Sequence, residues 1–123
     1  MKIYAYLLLQ SVLITAPAFG AASPIIFNGG ITMEERAGAP TEGIRLVFFV
    51  AAGNFLSDID VSVSNEAGRE LVNVTTEGPW LILDLDPGNY RVVATRGNGQ
   101  VQSLIIRVDE SSQEFGFSFP DEL

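Results

Sequence analysis

Short segments of strand-forming residues follow one another from Ile44 to the end of the chain, and turn residues separate them. They are rich in β-branched or aromatic residues, and several alternate between apolar and polar positions, which is typical of half-buried strands. No long segment has the spacing of an amphipathic helix. The segments lie at residues 44–52, 56–64, 70–77, 80–85, 90–95, 101–108 and 115–119.

This succession predicts an all-β domain over residues 44–123, a seven-stranded antiparallel Greek-key β-sandwich. No helix intervenes that would build a parallel sheet. An up-and-down barrel is the alternative, although the chain is short for a barrel that encloses a cavity.

Alternation also predicts which side chains form the core, because successive residues of a strand point to opposite faces. Apolar residues share one face in two of the segments: Ile59, Val61 and Val63, and then Tyr90, Val92 and Ala94. Aromatic side chains at alternating positions are expected to pack in the core as well: Phe48, Trp80, Tyr90, Phe115 and Phe117. Trp80, Tyr90 and Phe117 are predicted to be the main anchors.

The first 22 residues have the pattern of a cleaved signal peptide. Lys2 precedes an apolar stretch from Ile3 to Ala16, and small residues then allow cleavage after either Gly20 or Ala22. We therefore expect a periplasmic or secreted protein without a membrane span after cleavage. Residues 23–43 read as a leader segment, in which residues 25–27 either form a short strand or dock on the domain and residues 32–37 have the pattern of a helical turn.

Composition excludes much of enzyme chemistry. The 123 residues contain neither cysteine nor histidine, which removes disulfides, thiol nucleophiles, imidazole bases and the usual zinc ligands. The formal charge is −8, and Lys2 is the only lysine, so residues 23–123 carry six arginines against fifteen acids, a charge of −9. Such a surface repels polyanions, so nucleic acids and anionic membranes are poor partners.

Residues 61–108 carry three motifs in sequence order. The first is a strand and turn at Val61, Val63, Asn65 and Gly68, the second is Glu77, Gly78 and Trp80, and the third is the corner Leu85, Pro87, Gly88, Tyr90 and Val92. In the corner, the Pro-Gly pair turns the chain and the tyrosine packs into the core with its hydroxyl available for a backbone partner.

Together these motifs resemble the carboxypeptidase regulatory-like domain, and the resemblance implies a transthyretin-like, or prealbumin-like, β-sandwich. The chain is most similar to small exported single-domain bacterial proteins of this type. Members of the superfamily serve as docking appendages, sugar-binding or adhesive modules and receptor extensions, so the resemblance does not decide the function. The zinc-bearing catalytic domain of the carboxypeptidases has no counterpart in this sequence.

Candidate sites are few, and we predict no catalytic, cofactor or metal site. Acid pairs occur at Asp58 and Asp60, at Asp84 and Asp86, and at Asp109 and Glu110. Such pairs could bind calcium or act as a carboxylate pair for glycoside hydrolysis, but solvated strand edges and turn capping are the ordinary interpretation. Asn73 begins a glycosylation sequon, which matters only in a glycosylating host. Arginines are expected at strand ends or outward positions, paired with acids: Arg69, Arg91, Arg96 and Arg107.

The sequence thus predicts a non-enzymatic exported domain without a cofactor, which binds or docks to another envelope protein or a polysaccharide through a sheet face or an edge strand. A carbohydrate-binding module is the alternative, and a hydrolase built on acids alone comes third. Exposure of aromatic residues separates the first two: two or more of Trp80, Phe55 and Tyr90 exposed in a row would favour sugar stacking.

Overall fold

The computed structural model describes residues 23–121, so the predicted signal peptide lies outside the described residues. Eight strands and one short helix are present in this range. In chain order they are β1 (Ile25–Gly29), α1 (Met33–Ala37), β2 (Ile44–Val50), β3 (Asp60–Asn65), β4 (Glu70–Thr75), β5 (Trp80–Leu83), β6 (Gly88–Thr95), β7 (Val101–Val108) and β8 (Gln113–Phe119).

The strands form two four-stranded sheets that pack face to face as a β-sandwich. The strand order is β1-β5-β2-β8 in the first sheet and β4-β3-β6-β7 in the second. Both sheets contribute to one apolar core; Leu46, Phe48 and Leu81 come from the first sheet and Val63 and Val92 from the second. The prediction of an all-β sandwich is therefore confirmed.

Two details of that prediction are wrong. The described residues contain eight strands rather than seven, and the sheets are not wholly antiparallel, because β8 pairs with β2 in parallel from Ile44 opposite Gln113 to Val50 opposite Phe119. The loop after β7 delivers the chain to the end of the first sheet where β2 begins, and the Gln113 N–H donates to the Gly43 carbonyl over 3.2 Å. A parallel pair needs a long connection, and here the strands between β2 and β8 supply it without a helix.

The segment interpreted as a leader contributes to the first sheet. β1 pairs antiparallel with β5, with an irregularity between Ile25 and Phe27, so of the two alternatives the strand is confirmed. The helical turn is also present, since the Thr32 hydroxyl accepts from the Glu35 N–H at 3.1 Å and caps α1. Glu35 reaches back to accept from the Gly30 and Ile31 N–H groups.

The alternating positions point inward as expected. The two sets at residues 59–63 and 90–94 are buried, and the Phe48 and Phe117 rings stack with centroids 5.3 Å apart. Phe115 packs against the core while partly buried.

Trp80 does not anchor the core, so that prediction is wrong. Its ring is half-buried on the outer face of the first sheet, where the Arg45 guanidinium lies 4.2 Å from the ring centroid. Leu81 and Leu83 belong to the core cluster instead. Because all of the residues from Trp80 to Leu83 are apolar, the alternation that would show which of them face inward is absent from the sequence.

Candidate protein-binding edge

β7 forms one edge of the second sheet. It pairs along its whole length with β6, from Thr95 opposite Val101 to Gly88 opposite Val108, and no strand within residues 23–121 pairs with its other side. The hairpin that joins β6 and β7 closes with the Arg96 N–H donating to the Gln100 carbonyl over 2.8 Å.

The closing bond of this hairpin shows which backbone groups of β7 point away from β6. Hydrogen-bonded and non-bonded pairs alternate along an antiparallel ladder. Counting from the bonded pair of Arg96 and Gln100, the even-numbered residues of β7 bond to β6. The backbone groups of Val101, Ser103, Ile105 and Arg107 therefore point outward, and we call these four residues the β7 edge. The Arg107 carbonyl agrees with this polarity, since it accepts from the Gln113 side chain at 3.0 Å.

Apolar side chains accompany these backbone groups. Val101 and Ile105 are 55% and 56% exposed, and Leu104 is 40% exposed. The 101–108 strand has neither proline nor lysine, the residues that commonly protect strand edges from pairing. Edge strand β1 differs because it is irregular at Ile26, and β4 is irregular opposite the step from Val63 to Ser64. β7 is thus a regular edge strand that neither a bulge, a proline nor a lysine protects.

The predicted corner holds β6, the neighbour of β7, in place. Tyr90 is 7% exposed, and its hydroxyl donates to the Asp86 carbonyl over 2.6 Å, as the motif predicts. Burial, and then the nearby Asp86 carboxylate, raise the pKa of Tyr90. Gly88, the first residue of β6, has φ +155° where the chain leaves the turn. One end of β6 is thereby tied to the preceding turn.

A shallow depression lies on the outer face beside the β7 edge. It has a volume of ≈ 590 Å³, and Asn65, Glu66, Asn89, Arg91 and Ile105 contribute to its lining. Glu66 accepts from the Asn89 amide at 3.2 Å. The depression is open to solvent, a shape that suits contact with another surface.

The acid pairs have structural contacts. Asp60 accepts from the Thr75 hydroxyl at 2.6 Å across the strand pair, and the Asp86 carbonyl serves Tyr90. Asp109 accepts from the Ser111 N–H at 2.8 Å and from its hydroxyl, and these bonds lower the pKa of Asp109. Within residues 23–121, no three acidic side chains converge as a metal site would require.

Aromatic exposure does not meet the criterion set for sugar stacking. Tyr90 is buried and Trp80 is half-buried beneath Arg45, which leaves Phe55, 50% exposed, as the exposed ring of the three. Arg36 lies over that ring at 5.1 Å from its centroid. These three rings therefore do not form a sugar-binding row.

The predicted pairing of arginines with acids is largely wrong. Among residues 23–121 the ion pair is that of Arg45 with Glu114, at 2.6 Å, and neither residue belongs to the predicted set. Arg96 donates to the Gln100 side chain and to the Pro120 carbonyl. Arg91 approaches the Ser103 hydroxyl at 3.5 Å. Glu70, next to Arg69, and Asp109, two residues after Arg107, accept instead from hydroxyl, amide and backbone donors.

Sequence reasoning assigned β7 as a strand but did not identify its exposed residues as candidates. One local signal was present, because Leu104, Ile105 and Ile106 are consecutive apolar residues that interrupt alternation.

No family model matches the chain, and no curated protein matches it either. No helix within the described part of the chain is long and apolar enough to cross a membrane.

Proposed function

We propose that the protein is a non-enzymatic exported binding domain that accepts an extended segment of another exported protein as an additional strand on β7. The observation that carries the proposal is the β7 edge, where outward backbone groups and exposed apolar side chains occur together. Strand addition uses these two elements, with main-chain bonds for affinity and alternate side chains for selectivity.

The energetics favour this mode over a flat docking face. Val101, Ser103 and Ile105 each direct one N–H and one C=O outward, and each bond formed contributes roughly 0.5–1.5 kcal/mol net. A strand added at this edge also covers part of Val101, Leu104 and Ile105, and their exposed apolar surface is then buried away from water. The partner must lose the freedom of an extended segment, so a reversible complex is expected.

The resemblance to the carboxypeptidase regulatory-like domain supports the same proposal. It rests on the corner with Pro87, Gly88 and Tyr90, and members of that superfamily include docking appendages of larger proteins. Export, to the periplasm or the medium, rests on the signal-peptide pattern at residues 1–22.

Photo-crosslinking in the native envelope tests the proposal. A photoreactive residue at position 105 should capture a protein, whereas one at Ser62, on the outer face of β3 away from this edge, should not. Ser103→Pro should abolish capture, because its outward N–H is lost and the ring blocks an added strand, while the bonds to β6 use neighbouring residues. Ser103→Ala is the matched control and should capture normally.

Equal capture by Ser103→Pro and Ser103→Ala would contradict strand addition, provided that both variants melt cooperatively. Capture of nothing above background would contradict the docking function. Recovery of glycan in place of protein would favour the carbohydrate-binding alternative.

A further inference from the structure

Charge is segregated on the outer face of the second sheet. On the β3–β4 half, Asp60 accepts from Thr75, and Glu70 accepts from Ser62 and Asn73. On the β6–β7 half, the outward positions contain no acid and include two arginines: Asn89, Arg91, Val93, Thr95, Val101, Ser103, Ile105 and Arg107. The sheet therefore places two arginines beside the β7 edge of a chain that is acidic overall.

The two arginines are close neighbours. Arg91 lies opposite Ile105, and Arg107 is two residues further along β7 on the same face. Diagonal neighbours of this kind have Cα atoms about 7–8 Å apart. Both side chains are exposed, and within the described residues neither has a carboxylate oxygen within 4 Å.

Three acids lie near the pair, although among the described residues no carboxylate oxygen is within 4 Å of either guanidinium: Glu66, Asp109 and Glu110. Glu66 shares the depression with Arg91 but accepts from the Asn89 amide. Asp109, just beyond the end of β7, is bonded to Ser111 and is influenced by Arg107 only through space. Because charges more than about 8 Å apart are largely screened at physiological ionic strength, a carboxylate in direct contact with Arg91 or Arg107 interacts more strongly with these residues than with acids farther away.

We propose that the segment that binds the β7 edge carries an acidic side chain on its outward face, where Arg91 and Arg107 receive the carboxylate. The inference rests on the proposed function. An added strand lies about 4.8 Å from β7, so an acidic residue opposite Ile105 is the diagonal neighbour of Arg107. It also lies within reach of the long Arg91 side chain from the adjacent strand.

Titration of the ¹⁵N-labelled domain with matched peptides tests this inference. The probes are synthetic peptides of about ten residues with alternating valine and threonine, in which one central threonine is replaced by Glu, Gln or Lys. Binding is measured from the amide shifts of Val101, Ser103 and Ile105. The Glu peptide should bind about threefold more tightly than the Gln peptide, and the Lys peptide should bind most weakly.

Two variants locate the effect. Arg91→Gln combined with Arg107→Gln should abolish the preference for Glu over Gln. Arg69→Gln is the matched control, since Arg69 is exposed next to β4, at the opposite edge of the same sheet. Arg69→Gln should retain the preference for Glu over Gln. In the unmodified protein, about 0.5 M salt should weaken this preference.

The outcomes separate the two proposals. If the Glu, Gln and Lys peptides bind equally, the acidic preference is wrong and strand addition stands. If no peptide shifts the β7 amides, strand addition itself is contradicted. If Arg69→Gln removes the preference as fully as the double variant, the effect comes from overall charge rather than from this pair.

Discussion

Replacement of Tyr90 tests whether the corner stabilises the sandwich. The ring is 7% exposed within the core cluster, and its hydroxyl donates to the Asp86 carbonyl over 2.6 Å. Tyr90→Phe keeps the ring and removes this bond, so it should cost about 1 kcal/mol. Tyr90→Ala also removes the ring and leaves a cavity, so it should cost about 3–5 kcal/mol.

Thermal unfolding of residues 23–123, followed by circular dichroism, measures both costs. For a domain of this size about 1 kcal/mol corresponds to a fall of roughly 4–8 °C in Tm, which is the expectation for Tyr90→Phe. The Tm of Tyr90→Ala should fall several times further. Phe55→Ala, which removes a half-exposed ring, is the control and should change the Tm only slightly. An unchanged Tm in Tyr90→Ala would refute the packing argument, and an unchanged Tm in Tyr90→Phe would refute a contribution from the hydroxyl.

The raised pKa of Tyr90 adds a pH dependence with a definite sign. Burial favours the neutral phenol, so the pKa of Tyr90 in the folded protein lies above its ordinary value of 10.0. The resulting stabilisation is fully present below pH 10 and is lost as the pH rises through the folded pKa. Tyr90→Phe should therefore lose less stability between pH 9 and 11 than the unmodified protein, and an identical decline in both would show that another group is responsible.

The remaining predictions concern a close backbone contact and a loop. A Cβ at Gly78 would collide with the Gly29 carbonyl oxygen, so Gly78→Ala should cost about 1–3 kcal/mol in chemical denaturation. Gly97→Ala, whose added Cβ meets nothing within 4 Å, should be nearly neutral, and equal effects of the two substitutions would contradict the contact. In an NMR titration the Asp109 carboxyl should show a pKa below its ordinary value of 3.8. This pKa should return toward 3.8 in Ser111→Ala, because the bond from the serine hydroxyl is then lost. An unmoved Asp109 pKa in Ser111→Ala would show that the serine hydroxyl does not cause the shift.

The sequence predicted those parts of the fold where apolar and polar residues alternate. In β3, aspartate and serine separate Ile59, Val61 and Val63, so the buried face could be read directly. The corner was equally legible, because Pro87 and Gly88 restrict the turn and place Tyr90 at its end. Both features depend on neighbours in the chain.

Where alternation is absent, the prediction was wrong or incomplete. The run from Trp80 to Leu83 is apolar throughout, and only the pairing of Trp80 with Val47 places its ring on the outer face beneath Arg45. β1 had too little pattern to be distinguished from a docked segment until its pairing with β5 was seen.

The candidate edge shows the same division. The sequence determined that residues 101–108 form a strand, and the 101–108 limits agree with the structure. It did not determine that β7 lies at an edge, or that Arg91 and Arg107 lie together beside it without a carboxylate partner in the described chain.

By itself, then, the sequence determined seven of the eight described strands, their turns and the inward face wherever polar residues mark the outward one. The tertiary structure decided which strands are neighbours, including the parallel pairing of Ile44 with Gln113, and so which strand is left as an edge. The physical reason is that side-chain periodicity is a local property of the backbone. Strand order depends on contacts between residues far apart in the chain, and no local pattern encodes them.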